Sequence, residues 1–413
     1  MSGTLRIGAW RFVATFGVVS LLADIVYEGA RSVTGPILAL LGATAIVVGI
    51  VTGIGEAAAL LLRLISGPLA DRTRRFWAWA IAGYAITVIA VPTLGFAGTL
   101  GAAAVLIILE RVGKAVRSPA KDALLSFATA QTGRGKGFAV HEAIDQFGAV
   151  LGPLVVAGML ALTGVQYGPS LAVLAVPGMV ALGLLFWLRS RARDPELFES
   201  GHHPQAPSIA ADAGQARLPR AFWIYAGFSA ATITGFATFG LISFHMVDAG
   251  IIPPAVVPLV YAAVMLVDAL VALGTGWIYD RIGPSVLLAL PILCAAIPAL
   301  AFADASWAVI AGALLWGAAL GIQESTLRAT IADLISRSHR ATAYGIYAAI
   351  LGVAAAAGGA LAGLLYTQSL AALVVVTALI QAGALVFFAL FFGRRRWTAT
   401  PAPDRNRADK EQS

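Results

Sequence analysis

Apolar residues run along this chain in long blocks, broken by short stretches that carry charge, proline and glycine. A helix needs about 20 mostly apolar residues to cross the hydrocarbon core of a bilayer. Blocks of that order run at roughly 12–41, 43–66, 76–95, 100–126, 138–162 and 168–189. After a polar gap they resume at roughly 221–248, 254–279, 285–303, 307–334, 341–366 and 369–393. The pattern predicts an all-α membrane protein of 12 transmembrane helices, six on each side of the gap. The first block is long enough to require tilt, or a bend near Gly35-Pro36.

The gap itself, 190–220, is rich in proline, alanine and charge, and reads as a linker. The predicted organisation is a six-helix bundle over 1–189, the linker over 190–220, a second bundle over 221–396, and a disordered polar tail over 397–413. His202 and His203 lie in the linker and read as an exposed pair rather than a metal site.

Composition agrees with the pattern. Hydrophobic residues make up 59% of the chain and charged residues 12%, against about 25% charged in soluble domains. The formal net charge of +7 would suggest nucleic acid if it were clustered. Instead it alternates. Arg72, Arg74 and Arg75, then Arg134 and Lys136, then Arg281, then Arg337 and Arg340 fall in every second connection. Arg6, Arg11 and Arg394 to Arg396 make both termini basic, while the connections near 42, 97, 165, 251, 305 and 368 hold no Lys or Arg. The positive-inside rule then places both termini in the cytoplasm, with the protein in the cytoplasmic (inner) membrane. Nucleic acid drops out as a partner. A single cysteine, Cys294, excludes an internal disulfide framework and a cysteine metal cluster. Met1–Arg11 is polar and basic and no A-x-A exit follows, so no cleaved leader is expected.

The two halves repeat each other. "SGPLADRTRR" at 66–75 corresponds to "TGWIYDRIGP" at 275–284, each with a Gly ahead of an Asp-Arg pair. "RSPAKDALLS" at 117–126 corresponds to "RATIADLISR" at 328–337, and "FAVHEAIDQFGAVLGPL" at 138–154 to "YGIYAAILGVAAAAGGAL" at 344–361. Parallel six-span repeats are a transporter plan, with the solute near the bilayer midplane between the halves.

On these residues the chain resembles the major facilitator superfamily (MFS), over everything but the linker and tail. Gly67, Asp71, Arg72 and Arg75, with Asp280 and Arg281 in the second half, are similar to the family's loop motif. The resemblance implies that they act as a conformational switch, pairing across the cytoplasmic side in one state. Arg74 and Phe76 depart from the usual pattern there. Gly148, Gly152 and Pro153 resemble the fifth-span motif of the family's drug/proton antiporters. Glycine at four-residue spacing makes a groove for close helix packing, and proline bends the helix. Arg111 stands where the family carries its fourth-span arginine, although Lys114 and Ala115 replace the usual Gln-Gly. In the family the first, fourth, seventh and tenth spans line the central cavity.

Charges within the spans are the candidate chemistry, because an ionisable group at mid-bilayer costs about 2.5–3.5 kcal/mol and must face a cavity or a partner. Asp24, Glu28 and Arg31 share one face of the first helix; Glu110, Lys114 and Arg117 share one face of the fourth; Glu324 and Arg328 share one of the tenth. Glu56, Arg63, Arg111 and Asp268 complete the set. Asp24, Glu28, Glu56 and Glu324 are candidate proton carriers, since a buried carboxylate can take up and release a proton. Arg31, Glu110, Arg111, Lys114, Arg117 and Arg328 are candidates for solute or coupling contacts. The competing reading is a static network in which acids neutralise bases. Phe236 and Phe239 could form an apolar wall, or a packing stripe. His141 and Asp145, one turn apart, fit a helix-end cluster with Arg134 or Lys136 better than a metal site; His245 and Asp248 read as structural.

No cofactor or metal is expected. The chain has no G-x-x-x-x-G-K-[ST] loop, no zincin pair and no G-x-S-x-G elbow, which argues against a nucleotide-driven pump or an enzyme. The polar segments are too short for a sensor domain. What remains is a secondary transporter, acting as a monomer on a small organic solute and on protons. Export is favoured by the fifth-span resemblance; uptake of a nutrient, siderophore or metal complex is the alternative.

Overall fold

The computed structural model describes residues 7–198, 218–335 and 340–392. Every regular element among them is helical. The first half comprises α1 (Ala9–Ser32), α2 (Thr34–Leu40), α3 (Ala45–Leu61), α4 (Arg63–Thr73), α5 (Phe76–Leu94), α6 (Leu100–Thr132), α7 (Arg134–Thr163), α8 (Tyr167–Ala172) and α9 (Ala175–Arg191). The second comprises α10 (Arg220–Thr234), α11 (Phe239–Asp248), α12 (Val257–Ile282), α13 (Ala289–Ala301), α14 (Ser306–Leu334), α15 (Arg340–Gln368) and α16 (Leu370–Phe392). Short 3-10 turns cover Pro195–Phe198 and Gly283–Leu288.

Among the described residues, 10 stretches are long and apolar enough to cross a membrane. Two differences separate this from 12 predicted spans. α6 carries Glu110, Arg111, Lys114, Arg117, Lys121 and Asp122, too many charges for an ordinary span. The other is Val257–Ala301, one apolar stretch of 45 residues. At about 1.5 Å per residue it is roughly twice the thickness of the hydrocarbon core. Gly283, at φ 64°, turns the chain in the middle of it, and the 3-10 turn leads into α13.

Four spans are broken, each for a local reason or at a local irregularity. α1 passes into α2 at Val33, just ahead of Pro36, whose missing N–H leaves the carbonyl of Ser32 without its helical partner. α3 passes into α4 at Leu62, and α8 into α9 at Val173–Leu174. Between α10 and α11 the backbone leaves the helix over 235–238. Two side chains take up the exposed polar groups there: Thr238 Oγ1 accepts from Leu241 N at 3.4 Å, and Trp316 Nε1 donates to the Ala237 carbonyl at 2.7 Å.

Packing places the two halves unequally against each other. At the end away from the basic connections one apolar core is common to both, joining Val33, Ile37 and Leu38 to Phe239, Tyr261 and Trp316. At the basic end each half has a core of its own. One is built on Phe12, Phe16, Trp77 and Phe198, the other on Phe222, Tyr225, Tyr347 and Phe388. Glycine brings α3 and α15 together along their length: a Cβ on Gly53 would lie 3.0 Å from the Ala355 carbonyl, and one on Gly352 3.1 Å from Leu61. A Cβ on Gly35 would collide with Gly240 and Ser243, so α2 and α11 close the far end tightly.

Candidate functional site

The intramembrane charges of the first half gather where α1, α3 and α6 meet. Arg31 Nη2 donates to Glu56 Oε1 at 3.0 Å, and its Nη1 lies 3.6 Å from Glu28 Oε1. Arg111 Nη2 approaches the same Glu56 oxygen at 3.5 Å, and its Nε lies 3.3 Å from Glu110 Oε2. Two guanidiniums on different helices therefore share one carboxylate oxygen. Glu110 pairs with its neighbour Arg111 rather than with Lys114 one turn on, because Lys114 extends across to α1. A cavity of about 30 Å³ adjoins this layer, bounded by Arg31, Glu56, Glu110 and Arg111 on one side and Thr238 and Phe239 on the other. That is room for one or two waters, far below the ~300 Å³ of an organic-ligand pocket.

The next layer toward the basic end is built on two tyrosines. Tyr261 donates to Glu28 Oε2 at 2.5 Å, a hydrogen bond that crosses between the halves. Lys114 Nζ donates to the Tyr27 hydroxyl at 2.5 Å and lies 4.0 Å from the centre of its ring. Arg111 and Arg117 flank the same ring at 5.8 and 5.7 Å. Arg117 is buried; its Nη1 donates to Thr87 Oγ1 at 2.9 Å, and it lies 4.8 Å from the ring of Tyr84. Asp24 is partly exposed and makes no hydrogen bond or ion pair with another described residue. It lies in the field of Asp145, Lys114, Glu28 and Arg117.

One layer further, Ser20 Oγ is 2.8 Å from His141 Nε2, and Lys121 Nζ is 4.0 Å from Asp145 Oδ2. The described partners of this cluster are thus Ser20 and Lys121; Lys136, expected from the sequence, is exposed and not among them, and the side chain of Arg134 lies outside the described residues. Ligand atoms of His141, Glu142 and Asp145 fall within 4.8 Å of one another, close enough to surround a divalent ion. The ammonium of Lys121 against Asp145 opposes a second cation there.

The second half is sparser. Asp268 is buried on α12, and its Oδ1 has no hydrogen-bond partner among the described residues. Glu324 is exposed on α14, and the side chain of Arg328 lies outside the described residues. Phe236 stacks on Trp316 at 5.4 Å, and Phe239 packs against Tyr261 at 4.4 Å and Trp316 at 5.6 Å. Trp316 also lies 5.8 Å from the Arg31 guanidinium, so an aromatic wall faces the polar one. His245 is tied to Tyr366 at 2.7 Å and to the Ala303 carbonyl at 3.2 Å, a packing role.

Asp71, Arg72 and Arg75 are exposed and make no hydrogen bond or ion pair with another described residue. Gly67 lies 3.8 Å, measured from a built Cβ, from Pro119. Arg74, at φ 51°, ends α4 and pairs with Glu196 at 3.3 Å. Asp280 is exposed, and Arg281 lies over Trp277 at 3.3 Å. α15 of the opposite half packs on the start of α4, where a Cβ on Gly345 would lie 2.8 Å from Leu64, but among the described residues it forms no hydrogen bond or ion pair with Asp71, Arg72 or Arg75. Gly148 and Gly152 do the opposite. A Cβ on Gly148 would strike the Leu21 carbonyl and one on Gly152 would lie 2.5 Å from that of Ile25, so α7 abuts α1 on both sides of Asp24. Pro153 sits inside α7, which continues through it.

Sequence reasoning missed Tyr27, Tyr261, Trp316 and the Thr52–Thr238 hydrogen bond at 2.7 Å, a second side-chain hydrogen bond across the halves. Aromatics with polar tips at mid-span were the available signal, since buried Tyr and Trp seek partners.

Comparison with known proteins follows the same line. The family model described as Major Facilitator Superfamily matches residues 18–292 and 250–412. An uncharacterised protein of Mycobacterium tuberculosis (strain ATCC 25618 / H37Rv) is 59% identical over 384 residues, 92% of each chain. An uncharacterised MFS-type transporter of Methanocaldococcus jannaschii is 26% identical over 370 residues, 86% of this chain and 89% of that one. A variant of the nucleoside transporter NupG superposes with a TM-score of 0.70 at 14% identity, covering 92% of this chain and 100% of that one. That likeness shows the fold.

Proposed function

The chain belongs to the Major Facilitator Superfamily, and from that premise we propose that it is a proton-coupled secondary transporter exporting a small organic solute by alternating access. The family and fold are those of carriers rather than enzymes. The observation that carries the reading is the polar column on α1, α3, α6 and α7, reaching from the Arg31–Glu56–Arg111 layer down to Asp24 and Asp145. Such a column must face the protein interior rather than lipid, and its members without an ion-pair partner, Asp24, Lys114 and Arg117, favour a path for solute or protons over a static network.

The conformation suits one half of a rocking cycle. The halves share one core at the far end and have separate cores at the basic end, which suits a carrier open to the side of the basic connections. With both termini in the cytoplasm, that side is the interior. The unpaired Asp71, Arg72 and Arg75 then wait for the opposite state, in which the basic ends close on each other. Glu28, held by Arg31 and Tyr261 together, is the acid whose protonation reports on both halves. Asp24 lies on the open side and is the first acid a proton leaving toward that side meets. Gly148 and Gly152, which bring α7 against the α1 backbone beside Asp24, support export as the direction. The expected solute site lies between the two bundles of one chain, which supports the monomer as the working unit.

The test is Glu28→Gln in proteoliposomes. Gradient-driven movement of solute should cease while solute exchange without a gradient continues. Gradient-driven movement in the variant at the rate of the native protein removes Glu28 as the proton carrier.

A further inference from the structure

Four of the intramembrane bases of the first half, Arg31, Arg111, Lys114 and Arg117, are not equivalent. Arg31 and Arg111 are each paired with carboxylates, at 3.0 to 3.6 Å. Neither Lys114 nor Arg117 approaches a carboxylate within 4.0 Å among the described residues. Their partners are neutral: the Tyr27 hydroxyl for Lys114 and Thr87 for Arg117, with the rings of Tyr27 and Tyr84 beneath them. Hydroxyls and ring faces orient a cation without cancelling its charge, since each supplies a dipole or quadrupole only. Two cations one turn apart on α6 are thus held ready, and Lys114 keeps part of its surface open. Asp24, partly exposed in the same layer, makes no ion pair among the described residues, and the bases nearest it are Lys114 and Arg117.

We propose that Lys114, backed by Arg117 on the Tyr27 platform, is the subsite for an anionic group of the transported solute, a carboxylate or a phosphate. The inference rests on the transport reading and names its substrate class. A solute seated there places its charged group against Lys114 and its body toward the open basic end. The aromatic surface of Phe236, Phe239 and Trp316 lies across the Arg31 layer and offers an apolar wall when the halves rock. An amphipathic organic anion fits both. Neutral and cationic solutes find no counterpart to two bases that no described carboxylate contacts within 4.0 Å.

The experiment is equilibrium binding to the purified full chain in nanodiscs with no gradient, read as thermal stabilisation by tryptophan fluorescence. The probes are benzoate, phenyl phosphate, benzyl alcohol and benzylammonium at constant ionic strength. Benzoate or phenyl phosphate should stabilise the native protein saturably, and which of the two does so separates the carboxylate from the phosphate. Lys114→Gln should weaken that binding by about tenfold or more, the worth of one charge-assisted hydrogen bond, and Arg117→Gln by a smaller factor. Lys114→Arg, which keeps the charge, should stay within about threefold of native. Should Lys114→Gln fail to elute as folded protein, Lys114→Arg and Arg117→Gln carry the comparison. Equal stabilisation by benzyl alcohol, no saturable response to either anion, or native affinity in Lys114→Gln would each overturn the proposal. An anion bound through Lys114 but never moved across liposomes removes the transport reading and leaves this site. Transport of neutral or cationic solutes without anion binding does the reverse.

Discussion

Glu56 joins α1 to α6, and replacing it by glutamine tests whether the charge layer is a working network or a set of independent contacts. The change keeps size and one acceptor oxygen but removes the negative charge that Arg31 and Arg111 share at 3.0 and 3.5 Å. A hydrogen bond to a charged group is worth about 1.5–3 kcal/mol and a neutral one about 1 kcal/mol. Two contacts therefore lose about 1–4 kcal/mol between them. The Glu56 side chain is 29% exposed, and screening by solvent brings this down to about 1–2 kcal/mol. At roughly 2–4 °C per kcal/mol for a bundle of this size, the melting point should fall by about 2–8 °C. The assay is tryptophan fluorescence on heating, for Glu56→Gln, Arg111→Gln and the pair together. The double variant should be more stable than the sum of the single losses by about 1 kcal/mol, because Arg111→Gln removes one of the stranded cations. A Glu56→Gln protein that melts with the native one, or strictly additive losses, refutes the shared-carboxylate account.

Other outcomes follow from the contacts between halves. Tyr261→Phe removes the 2.5 Å hydrogen bond to Glu28; the far end should open more often, and a cysteine at Thr34 (Thr34→Cys) should react with an impermeant maleimide about tenfold faster. Unchanged labelling would mean that the hydroxyl does not hold the closed state. Thr52 and Thr238 touch across the far end at 2.7 Å, and native Cys294 is buried, so Thr52→Cys with Thr238→Cys gives a clean cross-link. Oxidation should stop transport and reduction restore it; transport through the oxidised protein argues against rocking at this end. Gly152→Leu should cost at least about 2 kcal/mol, since its Cβ would press on the Ile25 backbone, which cannot move aside as a side chain can. Gly158→Leu, where a Cβ meets nothing within 4 Å, should melt as native does.

Much of the fold was legible because hydrophobic block length is dictated by bilayer thickness, and the repeat of Asp71-Arg72 at Asp280-Arg281 divides the chain into halves. α6 was recognisable as a span only through its apolar flanks, since its own charges hide it. Spacing put Glu28 and Arg31 on one face, and they meet. It could not name the partner of Glu110, because periodicity knows only the helix it is computed on, whereas Lys114 is drawn off by Tyr27 on another. The same limit hid Tyr261 and Trp316: their partners, Glu28 and the Ala237 carbonyl, lie in another half or another helix. The neutral contacts of Lys114 and Arg117 were likewise invisible, because a list of charges in sequence balances whether or not they pair in space.

The central claim is that this chain moves a solute at the expense of a proton gradient. Purified protein in liposomes, given a panel of organic anions and an imposed pH gradient of either sign, tests it most directly. Solute should accumulate against its own gradient under one sign of the pH difference, with protons moving the opposite way across the membrane. Movement that ignores the pH difference, and only ever equalises solute on the two sides, would contradict it.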